Sequence, residues 1–372
     1  SGAIERHHPN TFAIGGTGYL MGGALLSNES LGDFYSYNPV SDTWSTKADF
    51  PGLSRGYAYS VSTDTKGYVG FGLYDNPGSG TTTYLDDIWE YDPALDAWTE
   101  LATFPGTARV HPAMVELDGK IYMGLGGSGA GDLGDWWEYD IAGDTWTELT
   151  TFPGSDRHHP YFFGLDGYVY VGMGHSGPDI FNDFYRYDPA TDTWLTLNDL
   201  PAQGRVAGTQ FAHNGKGYIL SGQGETHGNL PTGEFWEYTP ATDTWVELTE
   251  HPDGGRWAPG SFVIDGFAYM TCGEANTGVT NDLIRFQISE FASNEEMANE
   301  ISIYPNPSSG QLSISNINAN TEIIILNSGG QEVFKSNINP NEVVDLEFLE
   351  SGIYFCQFEG TSGLKTKKLI IE

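Results

Sequence analysis

Residues 155–202 read SDRHHPYFFGLDGYVYVGMGHSGPDIFNDFYRYDPATDTWLTLNDLPA. Tyr161-Phe162-Phe163 is an apolar run, and Gly167–Gly174 alternates before ending in glycines. Asp183–Tyr187 alternates again, and Asp192–Leu197 is rich in β-formers. Turn chemistry separates the runs: Asp166-Gly167, a glycine-rich loop, then Asp188-Pro189-Ala190-Thr191-Asp192. Four short strands joined by such turns predict an antiparallel meander.

A lone meander cannot bury both faces, so recurrence is the test of the reading. Trp44, Trp98, Trp146, Trp194 and Trp245 recur in a DTW-like context. Each precedes an arginine by the same interval (44 to 55, 98 to 109, 146 to 157, 194 to 205, 245 to 256). Each follows by that same interval an acid that opens the third strand: Asp33, Asp87, Asp135, Asp183 or Glu234. Arg6 supplies a sixth unit. The pattern resembles the kelch family, in which each repeat is one blade of a β-propeller, and covers roughly residues 1–291. The fold class expected is all-β: a six-bladed kelch-type (galactose-oxidase-like) propeller followed by a small seven-stranded β-sandwich.

Composition narrows the function classes. The 372 residues carry a formal charge of −34, which argues against nucleic acid and anionic membrane surfaces. No run reaches the apolar length of a transmembrane helix, so no membrane insertion is expected. No signal peptide is visible at Ser1. Cys272 and Cys356 fall in different domains, so no disulfide framework is expected.

Blades are expected at 6–52, 53–106, 107–154, 155–202, 203–253 and 254–291. The sixth lacks its DTW strand, because Ser293 stands where tryptophan would, and the closing strand must lie upstream of Ser1 or come partly from Ser1–Ile4. Residues 292–300 read as an acidic linker. Beyond it, 301–372 shows seven strand-like runs with Gly, Asn and Pro turns. Within it stand Tyr304-Pro305-Asn306-Pro307 with Gly310, then Asn327-Ser328-Gly329-Gly330-Gln331. Ser351-Gly352-Ile353-Tyr354 and a closing Lys365-Thr366-Lys367-Lys368 follow. These resemble the type A C-terminal sorting domain of type 9 secretion cargo in Bacteroidota. The resemblance implies export through the periplasm to the medium or the outer-membrane surface. It also implies recognition by the translocon and its outer-membrane shuttle. Tyr304, Pro305, Asn306, Pro307, Gly310, Gly329, Gly330, Gly352, Tyr354, Lys367 and Lys368 would carry the signal.

The blade scheme places the start of strand one, the end of strand two and the start of strand three on one face. Six of the twelve Lys and Arg residues before the linker are Arg6, Arg55, Arg109, Arg157, Arg205 and Arg256 at that face. A ring of guanidinium forks suits a carboxylate, sulfate or phosphate. The alternative is that they are scaffold residues bonded to carbonyls or acids. Two residues beyond them come His8, Tyr57, His111, His159, Ala207 and Ala258, and on an extended strand these would point the same way as the arginines. Trp257 completes the expected ligand-binding set. No metal, cofactor or catalytic group is expected, because the histidines sit on separate blades without a carboxylate at ligand spacing. The glycine-rich loops are followed by no helix and are not phosphate cradles. The tryptophans of the DTW runs are expected to pack blade on blade.

Together these observations predict exported cargo whose propeller binds an anionic ligand at the channel mouth, an acidic glycan or acidic peptide. Two other classes compete. One is a carbohydrate-active enzyme resembling sialate mutarotases, and the other is a structural or adhesive surface component.

Overall fold

Asp166 and Gly167 both adopt left-handed backbone conformations, with φ of 52° and 80°. This is what a two-residue hairpin turn of the right twist requires, and an Asp-Gly pair adopts it at little steric cost. The turn joins strands Tyr161–Leu165 and Tyr168–Gly172, pairing Leu165 with Tyr168. Phe184–Asp188 and Thr193–Thr196 complete the sheet in chain order. Asp118-Gly119, Asn214-Gly215 and Asp265-Gly266 repeat the same left-handed pair. The structure, a computed structural model, describes residues 3–230, 233–252, 254–288, 302–315, 321–327, 330–339, 342–360 and 363–371.

The chain divides into two compact units, Ser1–Phe291 and Ala292–Glu372. In the first, five sheets have four strands and a sixth has three, Gly260–Ile264, Phe267–Thr271 and Leu283–Gln287. Their innermost strands neighbour one another in a closed cycle: Asn10–Ile14, Tyr59–Ser62, Ala113–Leu117, Tyr161–Leu165, Thr209–His213 and Gly260–Ile264, then back to the first. This is a β-propeller of kelch type around a central channel. A cavity of about 400 Å³ runs along that channel, lined by Thr11, Ser60, Glu116, Phe162 and Ser261 among others, with His8 at one end.

One staple recurs from blade to blade. In each of the first five sheets a third-strand tyrosine (Tyr37, Tyr91, Tyr139, Tyr187, Tyr238) donates its hydroxyl to the aspartate two residues before the repeat tryptophan. From the second sheet onward that aspartate also accepts a backbone N–H of the preceding blade (Ala48, Ala102, Thr150 and Asn198). Trp98 packs against Phe34 and Phe50, and Trp194 against Trp136 and Phe152, all on the preceding blade. Trp146, Trp194 and Trp245 each donate Nε1–H to a carbonyl of the preceding blade. Blade-on-blade burial of aromatic surface thus holds the ring together.

The sixth sheet receives no fourth strand from the described residues. Ala3 is buried against Leu20 and Cys272, its carbonyl accepts Asn281 Nδ2–H at 2.9 Å, and Arg6 N–H donates to Thr280. The start of the chain therefore clamps the sixth blade without extending it. The expected linker at 292–300 lies outside the described residues.

The second unit has one sheet of three strands (302–304, 311–315, 343–345) and one of four (332–338, 321–327, 352–360, 363–371). Leu312, Ile314 and Val344 of one sheet share a core with Ile323, Ile325, Cys356, Phe358 and Leu369 of the other. That is a small β-sandwich. No helix of the described residues is long and apolar enough to cross a membrane.

Candidate functional site

The six arginines lie at the face expected of them, but their side chains turn into the blades. All are essentially inaccessible, from 0 to 1 % exposed. Arg109 donates from Nη1 and Nη2 to the two oxygens of Asp135, both at 2.7 Å, and also to the carbonyls of Leu125 and Thr107. Arg6 grips Asp33, Arg55 grips Asp87, Arg157 grips Asp183 and Arg256 grips Asp282 in the same two-pronged way. In each of these five blades Nη1 also reaches the carbonyl at the same offset along the chain: Gly22, Phe71, Leu125, Met173 or Cys272. Burial pushes the Asp87 and Asp135 carboxyls up, but the arginine fork and a tryptophan N–H outweigh it and hold both below the usual range.

The arginine ring is therefore a set of structural clamps between the first and third strands, and the expectation of a cationic mouth is corrected. The physical reason is local. Each unit carries its own carboxylate at the third-strand start, so the guanidinium is satisfied inside its own blade. Arg205 differs: Glu234 is one methylene longer and meets only Nη2, at 2.8 Å, leaving Nε and Nη1 without a partner among the described residues.

His8, Tyr57, His111, His159, Ala207 and Ala258 are not extended but left-handed, with φ between 49° and 59°. The chain turns sharply there, so each arginine faces its blade while the residue two beyond it faces the axis. Backbone hydrogen bonds link these six into a collar: His8 to Ala258, Ala258 to Ala207, Ala207 to His159, His159 to His111 and His111 to Tyr57. One residue outward, His7, Gly56, Val110, His158, Val206 and Trp257 bridge to the loops after strand two, at Ala24, Leu73, Gly127, His175, Gln223 and Glu274. The collar is thus the floor of a mouth, and the variable loops are its walls.

Over that floor, His8 meets Trp257 edge-on at 4.6 Å and Tyr57 at 4.7 Å between ring centres. His111 stacks on His159 at 3.5 Å. Trp257 fills the side where Ala207 and Ala258 leave room, and it is only partly buried. Hydrogen bonds run through the imidazoles: His7 Nδ1 to His8 Nδ1 at 2.8 Å, and His8 Nε2 to His159 Nε2 at 3.0 Å. His159 Nδ1 lies 3.3 Å from His175 Nε2, and His158 Nδ1 lies 2.7 Å from Asp132. The separation of the histidines by blade does not keep them apart, because all six collar positions converge on the axis. A carboxylate, Asp132, also joins them, against the sequence expectation.

Burial, reinforced by neighbouring imidazoles, holds His8, His111 and His159 far below the ordinary histidine value, and His175 falls to about 4. Burial likewise brings His7 to about 4. The floor is neutral at physiological pH, and Tyr57 is pushed up to about 12 by burial and by Asp75. Such a mouth offers aromatic faces and neutral hydrogen-bonding nitrogens. His175, on the loop after strand two, is a site residue that the sequence reading does not single out. The loops after strand two differ between blades and so carry no repeat signal.

Several residues of the expected sorting signal are tied together within the second unit. Asn306 Nδ2–H donates to the Lys368 carbonyl, and its Oδ1 accepts Ile370 N–H, tying the Tyr304–Pro307 segment to the last strand. Gly310 has φ of 109°, and a Cβ there would lie 2.8 Å from Glu347 Cα. Tyr354 is buried, with its hydroxyl donating to Glu350, next to Gly352 at the strand start. Lys367 and Lys368 pair across the sheet with Cys356 and Phe355, while Gly330 makes a left-handed turn. Gly329 lies outside the described residues.

Residues 302–372 match the model of the secretion system C-terminal sorting domain. The chain is accordingly cargo of the type 9 secretion system, delivered to the cell surface or the medium. The N-acetylneuraminate epimerase of Yersinia enterocolitica is 38% identical over 89 residues, 24% of this chain and 23% of that protein. Its counterpart in Pasteurella multocida is 31% identical over 112 residues, 29% of each chain. Kelch-like protein 21 of Homo sapiens is 29% identical over 105 residues, 28% of this chain and 16% of that protein. The chain thus spans less than a third of the length of these curated relatives.

Proposed function

We propose that this exported propeller is a carbohydrate-binding module that holds its ligand at the collar mouth. The observation that carries this reading is the floor itself: Trp257 and Tyr57 present partly open aromatic faces beside neutral imidazoles and the amides of Gln223 and Asn229. Sugar rings offer C–H faces that pack on aromatic surfaces, and hydroxyls that both donate and accept, which suits this mixture. The anionic ligand expected from the arginines loses its main support once they are paired. An acidic sugar stays in scope through the relatives named for N-acetylneuraminate.

The test is calorimetric titration of the purified full chain with a panel of neutral and acidic mono- and oligosaccharides. A hit should weaken by about tenfold, or about 1.4 kcal/mol, in Trp257→Ala. A panel without hits, or a hit indifferent to Trp257→Ala and Tyr57→Ala, contradicts the reading. Catalysis is checked on the same hits by following anomer exchange.

A further inference from the structure

We infer that His8, His111 and His159 form a binding site for a single zinc-like divalent transition-metal ion on the propeller axis. The inference does not depend on the carbohydrate reading. One nitrogen from each of the three rings lies within 4.8 Å of the others, and all three side chains are buried. His8 Nε2 and His159 Nε2 stand 3.0 Å apart. Two nitrogens bound to one tetrahedral zinc at its usual bond lengths are about 3.3 Å apart, so the pair needs little movement to grip an ion.

The outer hydrogen bonds fit the same role. A ligating imidazole normally uses its second nitrogen to hold its orientation. His8 Nδ1 is engaged by His7 Nδ1, and His159 Nδ1 by His175 Nε2. Both Nε2 atoms are thereby aimed inward. His111 supplies the second, independent sign, since both of its nitrogens are buried without a partner among the described residues. Unpaired buried polar atoms are costly and call for an explanation. An ion bound by His111 would provide one. The ring is held by stacking on His159, so its lone pair can turn toward an ion without breaking a hydrogen bond.

The collar does not require imidazole for folding. The equivalent positions are Tyr57, Ala207 and Ala258 in the same left-handed conformation. Three histidines among the six collar positions therefore go beyond what the backbone asks. The other triad, His158, His159 and His175, also converges. An ion there would leave both buried nitrogens of His111 without a partner among the described residues, so His158 and His175 are assigned as outer support. Three neutral nitrogen ligands leave the fourth position open, an arrangement that suits zinc or cobalt.

The full chain is stripped with a chelator and titrated with zinc chloride by calorimetry, and separately with cobalt chloride by visible absorption. One ion per chain should bind, and cobalt should give the intense bands of four-coordinate geometry. His8→Ala and His111→Tyr should each weaken zinc by more than about 100-fold. The tyrosine variant guards against misfolding, because Tyr57 already occupies a collar position. His213→Ala, away from the collar, should bind as the parent does. Absence of zinc binding, or binding that survives both collar changes in folded variants, overturns the inference. So does binding lost in His158→Ala but kept in His8→Ala, which would move the ion to the other triad.

Discussion

Replacing Arg109 with alanine isolates the clamp at the heart of one blade. The change removes two charge-assisted hydrogen bonds to Asp135, bonds to the Leu125 and Thr107 carbonyls, and the guanidinium over the Phe104 ring at 5.0 Å. Asp135 would keep the Trp137 Nε1–H at 2.8 Å, but its carboxylate, 26 % exposed, would lose its counter-charge. Removing one partner of a buried ion pair costs about 3–5 kcal/mol. In a domain of this size that corresponds to a fall in Tm on the order of 10 °C. Thermal and urea unfolding of the full chain, followed by near-UV circular dichroism, reads it directly. A double variant, Arg109→Met with Asp135→Leu, should recover much of the loss, because an apolar pair of similar volume leaves no uncompensated charge. An Arg109→Ala protein with unchanged Tm, and with diminished affinity for an anion, would show that the guanidinium faces a ligand and would refute the clamp.

Other outcomes follow from the same geometry. Glu234→Asp should let Arg205 be gripped by both oxygens as in the other blades, raising stability by about 1 kcal/mol in urea unfolding; an unchanged or lower value would mean that the fifth blade cannot close. In metal-free protein, histidines with folded values below 6.5 favour the folded state above pH 6.5, and that contribution fades as pH falls toward 4, where the unfolded chain binds more protons. His7 alone accounts for about 3 kcal/mol of that loss, and a flat urea midpoint between pH 6.5 and 4 would count against the buried cluster. Burial raises the Cys272 thiol to about 11 and Cys356 to about 12, so neither should react with a disulfide reagent at pH 8 until the chain is denatured. Deleting residues 292–372 should leave the propeller folded and stop its export, and a truncated chain that still reaches the surface would remove the tail from the export account.

The repeat was legible because the blade is stapled by residues with fixed roles. The aspartate of each DTW run accepts from a tyrosine of its own blade and, from the second sheet on, from the blade before, so neither it nor the tryptophan can drift. The Asp-Gly turns were legible for the same reason, since few other pairs take two left-handed residues cheaply. The arginine was found and misread. Its constant spacing reports an obligatory contact, and the contact is the acid that opens the third strand. A carboxylate that opens the third strand stands in every unit, 26 to 32 residues after its arginine, and that recurrence points to scaffold. The collar was half legible: the positions were named, but an extended strand was assumed, and only the left-handed turn sends these side chains to the axis. Convergence of His8, His111 and His159 from separate blades is a property of the closed ring, which linear spacing does not express.

The central question is whether a ligand sits at the collar mouth. Calorimetry of the saccharide panel against the parent chain and Trp257→Ala, both verified as folded, is the decisive measurement. At least one saccharide should bind the parent and lose about tenfold in affinity in the variant. A saccharide bound equally by both proteins, or none bound by the parent, would contradict that placement.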